Sequence, residues 1–506
     1  MILTPDPVGV QETRNTLSGI NVKTSKVFCG KSDHDEIIPD KYVDIIIGVF
    51  FDGTMNNRKN TQSRVAHEKK ERGETLTDEE KDAEKNFISA DDKDTSYYND
   101  ESNVSRLEPF YDKEPEEKLI KASVYIDGIG TDEYENDSPK IGGGLGMGPT
   151  GVIAKVLKGC EEAVEEINKN IKGKKINRIH IDTFGFSRGA AAARNFVHEI
   201  TKKKGAVKQV IAAGHGQAVV IYYEVDYGAF GEHLGESFLE EIRLPLCVRF
   251  VGLYDTVASY GVAHFNDTSD LHLKAISKAH HTLQLAAADE HRVNFRLTNI
   301  KSAINAGRGT EKFLPGVHSD IGGSYIDGAD EEVILDQNYV GWGGLEAERQ
   351  KLIEAGWYQP SEIEVGWRSL IGTRTNISNK YSYIPLQIMA EFAETKKVYF
   401  LVDDLKKDYR IEEESKSKNE ELLSDIRDYL GIPKVKLTDV KARIDAYIKG
   451  DKGRITFDSE EDKKMLRSLR NYYFHFSSHY KNTAGVMEPM KPNMVDGERV
   501  RVVQNG

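Results

Sequence analysis

The stretch IHIDTFGFSRGAAAAR, residues 179–194, constrains this chain more than any other. A β-branched, apolar run gives way to an alanine-rich, helix-forming one, and a serine stands at the junction between two glycines. Backbone that turns from strand to helix so abruptly is crowded, and Gly185 and Gly189 have no Cβ to clash there. Ser187 is then expected to project from a sharp, exposed corner. The G-x-S-x-G pattern carries a nucleophile when a strand precedes it and a helix follows, although ordinary strand-to-helix turns match so short a pattern too. Here Ile179, Ile181 and Phe184 read as strand, and Ala190 to Ala193 as a helix lying close to a sheet.

Other segments predict the sheet that such a corner needs. In YVDIIIGVFFDGTMNN the apolar run Ile45 to Phe51 suits a central parallel strand covered on both faces. KASVYIDGIGT (121–131) and LCVRFVGLYDTVAS (246–259) read as further strands, and VIAKVLKGCEEAVEEINKNI as an amphipathic helix. Strands alternating with helices predict a mostly parallel sheet flanked by helices, an α/β-hydrolase-like fold. The organisation expected is a polar N-terminal arm (1–41), a catalytic core (42–325) and a mainly helical C-terminal region (326–506). Within the core, the charge-dense run at about 58–94 reads as a solvated helical insertion. The glycine-rich IGGGLGMGPTG (141–151) lacks the Lys-Ser/Thr ending of a P-loop and reads as a turning loop rather than a phosphate cradle.

Composition narrows the function. A formal net charge of −13 argues against a general nucleic-acid binder. Cys29, Cys160 and Cys247 form neither a disulfide framework nor a zinc cluster. The start MILTPDPVGVQETRNTLS has no basic, then apolar, signal pattern, and no apolar run is long enough to span a bilayer. Synthesis in the cytoplasm, with any export by a route other than a cleaved signal, is therefore expected. No cofactor is implied.

A serine nucleophile needs a histidine to take its proton and an acid to orient that histidine, in the chain order Ser, Asp or Glu, His for this fold. Asp255 ends VRFVGLY at the C-terminal edge of the sheet, where open α/β folds build their sites; an Asx turn or a helix cap is the plainer alternative. His318 lies in FLPGVHSDIGGSY, on a loop from which it could reach the serine, or it is a surface histidine in a turn. Asp320 is a rival acid or a brace. For the oxyanion hole, the amide of Arg188 follows the nucleophile, and Gly53 and Thr54 are candidates for the second donor. Asp52 precedes the serine and reads as an organiser of its loop.

The set FFDGTMNN, GFSRGAAAAR, GLYDTV and PGVHSDIGG, in that order, resembles the family-one antibacterial lipase effectors of type VI secretion, phospholipases with an α/β-hydrolase core. SNVSRL (102–107) and YSYIPLQIM (381–389) extend the likeness. The resemblance implies Ser187 as nucleophile, Asp255 as orienting acid and His318 as general base, acting on phospholipid esters with A1 or A2 selectivity through an acyl-enzyme. It also implies a secretion spike or adaptor, a cognate immunity protein, and delivery to a competitor's periplasm. A general esterase or thioesterase, or a catalytically silent binding module of the same fold, are the alternatives.

Two features of the C-terminal region bear on lipid and metal. Trp342, Trp357 and Trp367 fall within residues 338–372, which read either as a lid or membrane-facing element or as packing onto the core. His475 and His479 would share one face if YFHFSSHYKN were helical, but no third ligand is apparent and no metal requirement is expected. EEESKSKNEELLSDIRDYL and TFDSEEDKKMLRSLRNYYFHF read as amphipathic helices.

Overall fold

The computed structural model describes residues 38–506 apart from 90–94, 138–147, 204, 214–216, 239–244, 259–268, 338–341, 412–432, 451, 454 and 481–489, and only the backbone of 205–225, 236–238 and 342–343. The expected N-terminal arm, most of the glycine-rich loop and the helix read at EEESKSKNEELLSDIRDYL lie largely or wholly outside the described residues.

Six strands form the central sheet: β1 (Tyr42–Phe51), β2 (Leu119–Ile126), β3 (Lys175–Phe186), β4 (Leu246–Tyr254), β5 (His281–Ala287) and β6 (Gly309–Leu314). They pair in the order β2-β1-β3-β4-β5-β6, and every pairing is parallel. This is the expected α/β fold. Side chains alternate across β1, so Ile46 and Phe50 enter one apolar cluster while Ile45, Ile47, Val49 and Phe51 enter the other. Both faces are therefore buried, which is why the run reads as continuously apolar.

Helices supply the two covers. The run at 58–84 forms α1 (Arg58–Glu71) and α2 (Asp78–Glu84), α3 spans Val152–Ile171, and α4 (Arg188–Glu199) follows the corner at Ser187. On one face, Val156, Cys160, Ala163 and Ile167 of α3 pack with Ala190 to Ala193 of α4 against the sheet. The other face is covered by the C-terminal region: Trp357, Tyr381, Met389, Phe474 and Phe476 share a single cluster with Phe50, Phe184 and Phe250.

Three regions differ from expectation. The first helix of the charged run is not simply solvated, because Asn60, Thr61, Ser63, Arg64 and Ala66 are buried. Arg64 donates to the Tyr97 carbonyl at 2.7 Å and Asn60 to Ser96 Oγ at 2.9 Å, so a polar face is satisfied inward and leaves no apolar stripe to detect. α2, by contrast, buries no residue. The region after residue 325 holds more than helices: Ala329–Asp336, Leu370–Ile377 and Ile363–Val365 form a three-stranded antiparallel sheet. Trp357 is 6% exposed and packs on Phe474 and Phe476, as a core residue rather than a membrane-facing one. Trp367 is 73% exposed, and the side chain of Trp342 lies outside the described set.

Candidate active site

β3 delivers Ser187 at the corner the sequence predicts. Its φ of 57° and ψ of −126° fall where L-residues are strained, as a nucleophile elbow requires. The flanking glycines are steric necessities. A Cβ on Gly189 would come within 2.1 Å of the Asp52 carbonyl oxygen, and one on Gly185 within 2.4 Å of the Gly189 oxygen. The elbow is tied to the end of β4 by two backbone bonds, Ser187 N–H to the Tyr254 carbonyl (3.1 Å) and Val257 N–H to the Ser187 carbonyl (3.3 Å). Between those two anchors stands Asp255.

Asp255 is wholly buried and is contacted by three groups. His318 Nδ1 lies 2.6 Å from Oδ2, the Ala287 amide donates to Oδ1 at 2.8 Å, and the Arg501 guanidinium donates to both oxygens at 3.0 and 2.9 Å. Burial by itself would raise the carboxyl's pKa, but Arg501 and then His318 reverse the sign and hold it below the ordinary value. The predicted acid and base are thus in contact.

His318 opens the short helix α5 (His318–Gly322). Its ring sits against Phe186, the residue before Ser187, at 4.6 Å between centroids, and meets Phe295 edge-on at 5.0 Å. Its amide donates to Glu290 Oε2 at 3.3 Å. With Nδ1–H committed to Asp255, Nε2 carries the lone pair that could receive a proton. Burial lowers the imidazole's pKa below 6.5, and Asp255 opposes that shift without cancelling it. Asp320 points elsewhere: it accepts from the Val317 amide at 2.9 Å and meets His475 Nδ1 at 3.1 Å. It therefore braces the loop that carries His318 rather than competing with Asp255.

That contact also settles the histidine pair. Residues 474–479 are not helical, so His475 and His479 share no helix face. No group of three or more His, Cys, Asp and Glu among the described residues is placed to hold a metal. No described helix is long and apolar enough to cross a membrane.

Across the elbow lies the loop after β1. Asp52 Oδ1 accepts from the Gly53 amide at 2.6 Å and from Ser102 Oγ, and Oδ2 accepts from Tyr125 Oη at 2.5 Å. Burial pushes this carboxyl up to about 6, with Ser102, Tyr125, Gly53 and Arg58 all opposing. Because the Gly53 N–H is engaged by Asp52, it is not a free oxyanion donor in this arrangement. Thr54 N–H makes no hydrogen bond among the described residues, and Thr54 Oγ1 accepts from Arg188 Nε at 2.7 Å. Gly128 backs the loop so closely that a Cβ there would lie 1.8 Å from the Gly53 oxygen.

Sequence reasoning missed Ser102, Tyr125, Glu290 and Arg501. Ser102 opens SNVSRL, a stretch already noted, but Arg501 sits in ERVRVVQNG with no local pattern to mark it.

Comparison with known proteins adds the following. Residues 46–342, more than half of the chain, match the family described as "T6SS, Phospholipase effector Tle1-like, catalytic domain". Among solved structures, the chain is similar to the Tle1 effector bound to the VgrG spike from the type 6 secretion system. The two are 21% identical with a TM-score of 0.55, over 94% of this chain and 97% of that one. An uncharacterized protein from Pseudomonas aeruginosa is 18% identical with a TM-score of 0.35, over 84% of this chain and 54% of that one. No curated protein matches significantly.

Proposed function

The chain belongs to the Tle1-like phospholipase effectors of type VI secretion, and from that premise we propose that it is a phospholipase A acting through Ser187, His318 and Asp255. The observation that carries this reading is the 2.6 Å contact of His318 Nδ1 with Asp255, built beside a serine held at φ 57°.

In the proposed reaction Ser187 Oγ bonds to the acyl carbon of the phospholipid ester, and its proton passes to His318 Nε2. The carbonyl oxygen becomes an oxyanion, stabilised by the amides of Arg188 and Thr54. Collapse breaks the ester C–O bond, the departing lysophospholipid oxygen takes the proton from Nε2, and the acyl group remains on Ser187. Water then attacks, giving its proton to Nε2; the fatty acid leaves as Ser187 Oγ regains a proton. Asp255 stays ionised throughout and stabilises the imidazolium.

Family membership makes the chain a lipid ester hydrolase delivered by type VI secretion. The Tle1 effector of the similar structure is bound to the VgrG spike, and we extend that kind of partner to this chain. A cognate immunity protein and a periplasmic target complete the proposal.

The test is mass spectrometry of mixed phospholipid liposomes incubated with the wild type and with Ser187→Ala. Lysophospholipid and free fatty acid from the wild type alone are expected, and the chain released identifies the A1 or A2 position. Equal release by Ser187→Ala would overturn the triad, and hydrolysis confined to short soluble esters would replace the phospholipase with a general esterase.

A further inference from the structure

A triad acid ordinarily faces its histidine and neutral donors, but here a guanidinium is clamped on the same carboxylate. Arg501 lies 246 positions from Asp255 in sequence and contacts both of its oxygens. The Arg501 side chain is only 6% exposed, and its Nη1 donates to the Ala287 carbonyl at 3.0 Å, so one fork grips Asp255 and the strand end beside it.

The segment around Arg501 is stitched to the rest of the fold on both sides. Leu297 N–H donates to the Val502 carbonyl at 2.9 Å, and Val503–Gln504 pairs in parallel with Leu297–Thr298. Gln504 Nε2 reaches Thr298 Oγ1 at 2.9 Å, while Arg499 donates to the Leu335 carbonyl at 2.6 Å. The Arg501 fork is thereby held in position before substrate arrives.

We propose that Arg501 is a positioning residue of the hydrolytic site: its fork ties Asp255 to the Ala287 carbonyl, and its charge offsets that of Asp255, so that the buried His318 stays in the neutral, proton-accepting form. This inference rests on the triad reading above. Among the described residues, the charges that face the pair can be named. Asp255 sees Arg501 and His318; His318 sees Asp255, Arg292 and Glu290; Glu290 is itself paired with Arg292 at 2.9 Å. Arg292 also faces Asp255 and Tyr325, Arg501 also faces Glu290, and Glu311 lies within reach of Asp255's charge. Of these, Arg501 is the cation in direct contact with the carboxylate. Remove it, and more of the charge of Asp255 falls on the imidazole, which then protonates at higher pH and is lost as a base below that pH.

Arginine and lysine separate the two roles, because lysine keeps the charge but lacks the second nitrogen with which Arg501 holds the Ala287 carbonyl while its Nη2 bridges both oxygens of Asp255. The experiment measures the pH dependence of kcat and kcat/KM on a short-chain p-nitrophenyl ester, using the full chain, for wild type, Arg501→Gln, Arg501→Lys and Ser187→Ala. For Arg501→Gln the acid limb is expected to move up by about one unit, as for a group losing an opposing close charge. That shift appears as a loss of about tenfold on the acid side that narrows toward alkaline pH. Arg501→Lys is expected to keep the wild-type limb and lose kcat severalfold at every pH. An unmoved limb in Arg501→Gln would overturn the charge role, and wild-type kcat at all pH values in Arg501→Lys would overturn the fork. Where Arg501→Gln does not fold, Arg501→Lys tests both roles, because an acid limb moved up in Arg501→Lys would overturn the charge role. Ester hydrolysis that persisted in Ser187→Ala would instead refute the triad reading beneath the proposal.

Discussion

Asp52 and Asp255 follow β1 and β4, the strands on either side of β3, so one buried carboxylate stands to each side of Ser187. Each accepts several hydrogen bonds, yet their protonation departs in opposite directions. Asp52 is bonded by a backbone amide and two hydroxyls, with Arg58 acting without a direct bond, and burial lifts it to about 6. Asp255 has a guanidinium and an imidazole in contact, and it is held below its ordinary value. The lesson is that neutral donors do not offset the desolvation of a carboxylate, whereas a touching cation does. On the proposed reading, the side with the fixed charge serves catalysis and the side without it holds a loop.

The largest effect expected is from Asp255→Asn. Loss of the orienting charge should lower kcat on a soluble ester by about 10⁴-fold, the scale for a triad acid made neutral. The same change strands the Arg501 guanidinium in the interior, at a stability cost of about 3–5 kcal/mol. Asp255→Asn/Arg501→Gln should regain most of that stability in urea titration and none of the activity. A double variant as unstable as the single one would break the comparison, because the cation would then not be what distinguishes Asp255.

Asp52→Asn should act more mildly, lowering kcat/KM by about 10- to 100-fold through the loop that carries Thr54. Its signature lies in stability against pH. Asp52's pKa is about 6 in the folded chain and 3.8 in the reference state, so its contribution is fully present below 3.8 and is lost as pH rises through about 6. That span corresponds to about 3 kcal/mol. The asparagine lacks this loss, so its stability relative to wild type should improve by that amount between about pH 4 and pH 7; a flat difference would place Asp52 with Asp255. For His318 the readout is activity. Its depressed pKa predicts that wild-type hydrolysis is lost, as pH falls, through a midpoint below 6.5, and a midpoint above that value would contradict the neutral base inferred here.

The contrast also separates what the sequence discloses from what it hides. The elbow is legible because glycines, a serine and an alanine run are consecutive, and β1 because burial on both faces leaves its apolar run unbroken. The order of Ser187, Asp255 and His318 is legible because each sits in a short pattern of its own. Arg501 is not, since one arginine among valines carries no mark of a partner 246 positions away. The strand ADEEVILD is hidden by its charges, and the inner face of α1 by burying polar groups that find partners only in the folded chain.

The smallest change sharpens the comparison most. Tyr125→Phe deletes one oxygen, and with it the 2.5 Å bond to Asp52 Oδ2, while Ser102 and the Gly53 amide remain. A donor to the charged form is lost, so Asp52 should rise above about 6, and the pH window in which its stability contribution disappears should move up with it. One neutral hydrogen bond changes stability by about 1 kcal/mol, so the displacement should be under about one unit. Activity on a soluble ester should change by less than about tenfold, because Asp52 acts on the loop and not on the histidine. The measurement is urea stability against pH for Tyr125→Phe, with Tyr125→Phe/Asp52→Asn as the reference that cannot titrate. If the window moved down, the Tyr125 oxygen would be repelling the carboxylate rather than donating to it, and Asp52 would owe its protonation to that oxygen instead of to burial.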